Sequence, residues 1–219
     1  MTSSRRQRPS AIAEPVRDRD LVRLYWPVEL RPAFDTLLDI DDALAGVVVR
    51  ATEPGLAAIK LAWWRERLEE LDVGVFPAEP RLRAVAAELL PRGVHGAELA
   101  GLTEAWAALL DEQPDLDRVA EGGARLFAIA ANLLGASDPM IEPAGRLYGH
   151  ANAARRGLIR MYPAAELQQL TAHRFPNRLR PLTGLAALVA RDAKRSKLEP
   201  EATPGRSWTL IRHRLTGKI

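Results

Sequence analysis

The residues best suited to chemistry lie in "LDIDDALAGVV", Leu38 to Val48, where Asp39, Asp41 and Asp42 fall within four positions of an apolar run, with Asp35 one turn upstream. Carboxylates grouped on a helix can hold a divalent cation, or they can form a solvated acidic face near a helix N-terminus, where negative charge is favoured. At 100° per residue, Asp35, Asp39 and Asp42 gather in a polar ridge. Asp41 instead lies in the apolar arc with Leu37, Leu38, Leu44 and Ala45. An inward carboxylate is costly without a partner, so Asp41 is expected to have one. The next helix supplies two candidates, Lys60 and Arg67, which share an arc with Leu56, Ile59, Trp63, Trp64 and Leu71. Trp63 and Trp64 read as helix-packing residues rather than a ligand box.

A second cluster is cationic. Between Glu142 and Glu166 the chain carries no carboxylate but has His150, Arg155, Arg156 and Arg160. Arginines can grip a phosphate or diphosphate but cannot ligate a metal for it. They serve equally as a solvated basic face or as partners for the acidic N-terminal half. His95, His150, His173 and His213 show no metal-ligand spacing.

The elements that must position these groups are helices. Of the 219 residues 47% are hydrophobic and only 5% aromatic, Ala and Leu dominate, and β-branched runs are few, which favours an all-α bundle. Residues 1–16 are expected to form a disordered basic arm and 17–219 a single helical domain. Apolar periodicity predicts a helix from Asp18 to the break at Trp26-Pro27. Longer ones follow over Leu30 to Arg50, and from Gly55 to Asp72 with Thr52 as its cap. Further helices are expected over Arg81 to Leu90, Gly96 to Leu110, Leu116 to Leu134 and Pro143 to Met161. Shorter ones span Glu166 to His173, Leu182 to Arg195 and Arg206 to Leu215.

Composition narrows the function classes. There is no cysteine, which removes disulfides, thiol nucleophiles and Cys-held metals. No apolar run reaches 18 residues, and "MTSSRRQRPS" lacks a signal-peptide core, so the expectation is a soluble, cytoplasmic chain. Met1 to Gly149 carry 17 Lys/Arg against 24 Asp/Glu; His150 to the end carry 14 against 4. The basic last third suits an acidic partner, a phosphate-bearing ligand or an anionic membrane surface, and it lacks nucleic-acid recognition signatures. In the last helix Trp208, Ile211 and Leu215 share a stripe among basic residues; the core is their expected place, an interfacial role the alternative.

Four stretches together resemble the squalene/phytoene synthase family. "YWPVELRPAFDTLLDIDDALAGVVVRATEPGLAAIKLAWWRERLEELD" is similar to its N-terminal part, above all in a divergent bacterial and mitochondrial branch with an "I-[RK]-L-x-W-W-R" helix, here Ile59, Lys60, Leu61, Trp63, Trp64 and Arg65. "VAEGGARLFAIAANLLG" resembles the helix lining the family's central cavity, where Gly122 and Gly123 permit close approach at a helix cost of about 1 kcal/mol each. "AGRLYGHANAARRGLIRMYP" stands where the family has its second aspartate-rich helix, and "PGRSWTLIRHRLTGKI" resembles the branch's last helix.

The resemblance implies an isoprenoid-synthase-like helix bundle. Active members join two prenyl diphosphates head to head, holding Mg²⁺ between D-x-x-x-D motifs on facing helices. Here the positions four after Asp41 and Asp42 are Ala45 and Gly46, and the second motif has lost its carboxylates entirely. The resemblance therefore implies a catalytically degenerate protein, one that binds a prenyl or lipid ligand or a protein partner. The branch includes a respiratory complex I assembly factor, which implies a place at the periphery of the inner membrane. Asp41, Lys60, Arg67, Arg155, Arg156 and Arg160 are the expected cavity or diphosphate contacts, with no metal or other cofactor. The alternative is an active Mg²⁺-dependent prenyltransferase using Asp39, Asp41 and Asp42.

Overall fold

A computed structural model describes residues 16–160, 165–195 and 197–219. The basic arm expected over 1–16 lies outside them but for Val16. The described residues are helical apart from turns and one isolated antiparallel bridge between Arg174 and Lys218.

Eleven α-helices follow one another among these residues. The first four are α1 (Asp18–Arg23), α2 (Arg31–Val49), α3 (Pro54–Leu71) and α4 (Pro80–Glu88). Next come α5 (Gly96–Ala100), α6 (Leu102–Ala107), α7 (Leu116–Leu133) and α8 (Ile141–Arg155). The last are α9 (Ala165–Thr171), α10 (Arg180–Asp192) and α11 (Pro204–Thr216). Prolines open α2, α3, α4, α10 and α11 within their first two positions, where the missing N–H costs nothing. The single helix expected over Gly96 to Leu110 is two, α5 and α6, meeting at Gly101. The cap of α3 is Glu53 rather than Thr52.

The core centres on α2, whose Phe34, Leu37, Ile40 and Leu44 are almost wholly buried. Trp26 packs on Phe34 at 4.6 Å between ring centroids. Helices α3, α4, α6 and α7 surround α2, and one apolar cluster runs from Val22 in α1 to Leu210 in α11. Along α10 every residue from Pro181 to Ala190 is buried.

Helices α7 and α8 share the most extensive contact, and glycines face one another across it. A Cβ built on Gly123 would stand 2.2 Å from the Gly145 carbonyl oxygen and 2.6 Å from the Gly149 nitrogen. One on Gly122 would stand 2.2 Å from the Ala105 Cβ. The close approach expected of Gly122 and Gly123 is thus with neighbouring helices. Backbone contact at this seam offsets the cost of helical glycine, and it draws α8 inward until Asn152 and Arg156 reach α2.

Candidate functional site

Asp41 points inward from α2, as the wheel predicts, and is 6% exposed. Its partners are neither Lys60 nor Arg67. The Trp106 Nε1–H of α6 donates to Oδ1 at 2.9 Å, and the Asn152 amide of α8 donates to Oδ2 at 2.9 Å. Burial pushes the Asp41 carboxyl up to about 6, against the opposing pull of the Trp106 bond and the Arg156 charge. The carboxylate is therefore held chiefly by neutral donors.

Asp42, the next residue, is held by charge. Arg17 donates to it at 2.7 Å, Arg19 at 2.8 Å and Arg156 at 2.5 Å. Burial pushes its carboxyl up, but the Arg17 hydrogen bond and the charges of Arg17, Arg156 and Arg19 outweigh burial and hold it below the usual range. Arg19 also reaches Asp39 at 2.8 Å, and Arg23 reaches Asp35 at 2.6 Å. The ridge of Asp35, Asp39 and Asp42 is a row of ion pairs with α1 and its approach, with Arg156 closing it from α8.

Arg156 links the two aspartates. It bonds Asn152 Oδ1 at 3.2 Å, one turn earlier on α8, and lies 5.6 Å from the centre of the Trp106 ring. Its neighbour Arg155 turns elsewhere, to Asp192 at 2.5 Å and the Glu199 carbonyl at 3.2 Å. Asp192 also accepts from Arg206, which is 1% exposed and paired with Asp18 through both carboxylate oxygens. A chain thus runs from the half-buried Arg155 through the buried Asp192 and Arg206 to Asp18.

The other expected residues fall apart from this site. Lys60 is exposed, and Arg67 pairs with Glu70 at 2.8 Å on its own helix. The reason is that α3 buries Ala57, Leu61, Trp64, Leu68 and Leu71, leaving Leu56, Ile59 and Trp63 outside. The two tryptophans accordingly divide, Trp64 in the core and Trp63 42% exposed. Arg160 is exposed beyond the end of α8, and Met161, the expected end of that helix, lies outside the described residues. His150 Nε2 donates to the Leu116 carbonyl at 2.8 Å.

Two small cavities flank Asp41. One, of about 20 Å³, lies among Trp106, Gly122, Gly123, Leu126, Tyr148 and Asn152. The other, of about 60 Å³, lies towards Arg17, Asp42, Arg155 and Arg206. Burial pushes the Tyr148 hydroxyl, which borders both, well above its ordinary value. The first has room for about one water molecule, the second for a few.

The residues present do not fit Mg²⁺. Both Asp41 oxygens accept hydrogen bonds from within the bundle, Asp42 is covered by three guanidinium groups, and Asp39 is engaged by Arg19. Among the described residues no group of three or more His, Asp or Glu is placed to hold a metal ion. What the arrangement can do is join helices, since it ties α1, α2, α6 and α8 at one point.

No protein-family model, no curated protein and no solved structure matches the chain.

Proposed function

We propose that this is a squalene/phytoene-synthase-like helical protein that does not turn over prenyl diphosphates and acts as an interaction partner, of the kind that assists assembly of a respiratory complex. The observation that carries the reading is the space beside Asp41. A site for a ligand of prenyl size encloses some 300 Å³ or more, whereas the cavity between α2, α6, α7 and α8 is about 20 Å³. The resemblance implies a prenyl chain against this glycine-containing helix, and the close contact of α7 with α8 leaves little room for one there. The arginines on Asp42 supply from within the fold the positive charge that Mg²⁺ would bring to an active relative.

A surface for a protein partner lies on α3 and the turn after it. Leu56, Ile59 and Trp63 stand outward on the helix, with Val73, Val75 and Phe76 also exposed beyond it. Exposed apolar side chains grouped in this way mark association surfaces.

The test is turnover. Incubated with prenyl diphosphate and Mg²⁺, the protein is expected to release no diphosphate and form no head-to-head product. Any squalene- or phytoene-like product would establish the Mg²⁺-dependent transferase instead.

A further inference from the structure

Helix α11 packs against the fold with its polar side. Arg206, Leu210 and His213 are at most 2% exposed. Arg206 is neutralised by Asp18 and Asp192; His213 bonds Thr183 at 2.8 Å and the Lys218 carbonyl at 2.9 Å. The stripe expected to join the core faces away instead. Trp208 is 66%, Ile211 40% and Leu215 72% exposed. Leaving these outside forgoes apolar burial, as it does for Leu56, Ile59 and Trp63 on α3.

The surroundings of the stripe are cationic. A groove of about 520 Å³ runs beside it between α10 and α11, lined by Arg191, Lys194, Arg195, Trp208, Arg212 and Lys218; no Asp or Glu is in its wall, and Ile219, the last residue, closes it with five cationic side chains around. Glu199 bonds Arg191 at 2.9 Å and lies 3.7 Å from Arg195. From Arg174 to Ile219 the sequence has 11 Lys/Arg and 3 Asp/Glu, and one of those acids, Asp192, is buried between Arg155 and Arg206. The exposed apolar residues of α3 have the opposite setting, since Glu53 to Asp72 hold 3 Lys/Arg and 5 Asp/Glu.

We infer that the outer face of α11 is a docking surface for an anionic phospholipid bilayer. Trp208, Ile211 and Leu215 enter the boundary between headgroups and acyl chains, while the groove receives a lipid phosphate. The shape favours a bilayer over an acidic protein: the apolar side chains form an outward ridge on one helix, and a ridge inserts into a soft apolar phase without needing a complementary pocket. Tryptophan and aliphatic residues on one face with Lys and Arg at its edges are the composition of an interfacial helix. Among the described residues no helix is long and apolar enough to cross a membrane. The inference does not depend on the absence of prenyl turnover.

Flotation of the full chain with phosphatidylcholine vesicles, with and without phosphatidylglycerol, tests it. Binding is expected only to the anionic vesicles and to weaken as salt rises. Each cation near such a surface contributes about fivefold, so the double variant Lys194→Gln, Arg212→Gln should bind about 25-fold more weakly. All three changes offered here alter exposed side chains, and an unchanged circular dichroism spectrum verifies the fold. Brominated phosphatidylglycerol should quench tryptophan fluorescence in the native chain but much less in Trp208→Phe. Failure of the native chain to bind, equal binding by the double variant, or undiminished quenching in Trp208→Phe would each overturn the assignment. So would binding to soluble glycerol phosphate or polyglutamate without binding to vesicles.

Discussion

The two arginine–carboxylate clusters draw alternately on three consecutive residues and differ in almost everything else. Arg17 and Arg19 run to Asp42, while Asp18 between them runs to Arg206. At Asp42 three cations meet one acid whose side chain is 24% exposed. At Arg206 one cation meets two acids, one of which, Asp192, also holds Arg155, so that two cations face two acids; the side chains of Arg206, Asp18 and Asp192 do not exceed 8% exposure. The first cluster keeps contact with water and tolerates excess charge; the second must balance nearly completely, because desolvated charge is expensive when unpaired. Asp41 adds a third case, a buried carboxylate with neutral donors and a raised pKa.

The largest expected effect comes from breaking the dry cluster. Arg206→Ala leaves Asp18 buried without its cation, and Asp192 with Arg155 alone, and should cost about 3–5 kcal/mol, read as a lower urea midpoint. Asp41→Asn comes next, through pH dependence. Because the folded-state pKa lies above the ordinary carboxylate value, the native state binds the extra proton, and stability falls as pH rises from about 4 through about 6. The variant should remove about 3 kcal/mol of this decline between pH 4 and pH 7, measured by urea unfolding at a series of pH values. An unchanged slope would mean that Asp41 is solvated more than its position implies. Asp42→Asn is the smallest and opposite in sign. Its pKa is depressed on folding, so its contribution is present above the ordinary carboxylate value and fades as pH falls through the lowered one. A loss of about 2 kcal/mol at neutral pH, disappearing in acid, is expected. Equal losses in Asp42→Asn and Arg206→Ala would erase the distinction between the clusters.

Helix positions and the inward turn of Asp41 were legible in the sequence because both follow from the periodicity of one segment. The partners of Asp41 were not. Trp106 and Asn152 lie 65 and 111 residues away, and nothing within α2 says which helices will cover it. A spacing signal did exist for Asn152, four residues before Arg156 on the cationic helix. Lys60 and Arg67 misled because α3 is apolar on both sides, so a wheel gives no unique inner face. In α11 the wheel located the stripe of Trp208, Ile211 and Leu215 but could not orient it. Burial of Arg206 and His213 depends on partners supplied by α1, α10 and the turn after α11. The squalene/phytoene-synthase resemblance likewise pointed to a cavity, whereas its size was set by helix approach across Gly123, Gly145 and Gly149.

The contact between Asp18 and Arg206 spans 188 positions of sequence, whereas the α7–α8 pair is joined by a short connection. Closing so long a loop carries an entropy penalty that is repaid only after the intervening helices have assembled. The clasp is therefore expected to close late, and Arg206→Ala should accelerate unfolding far more than it slows folding, read from the two arms of a chevron plot. On that outcome the contact is a latch, governing how long the folded chain endures rather than how quickly it is made.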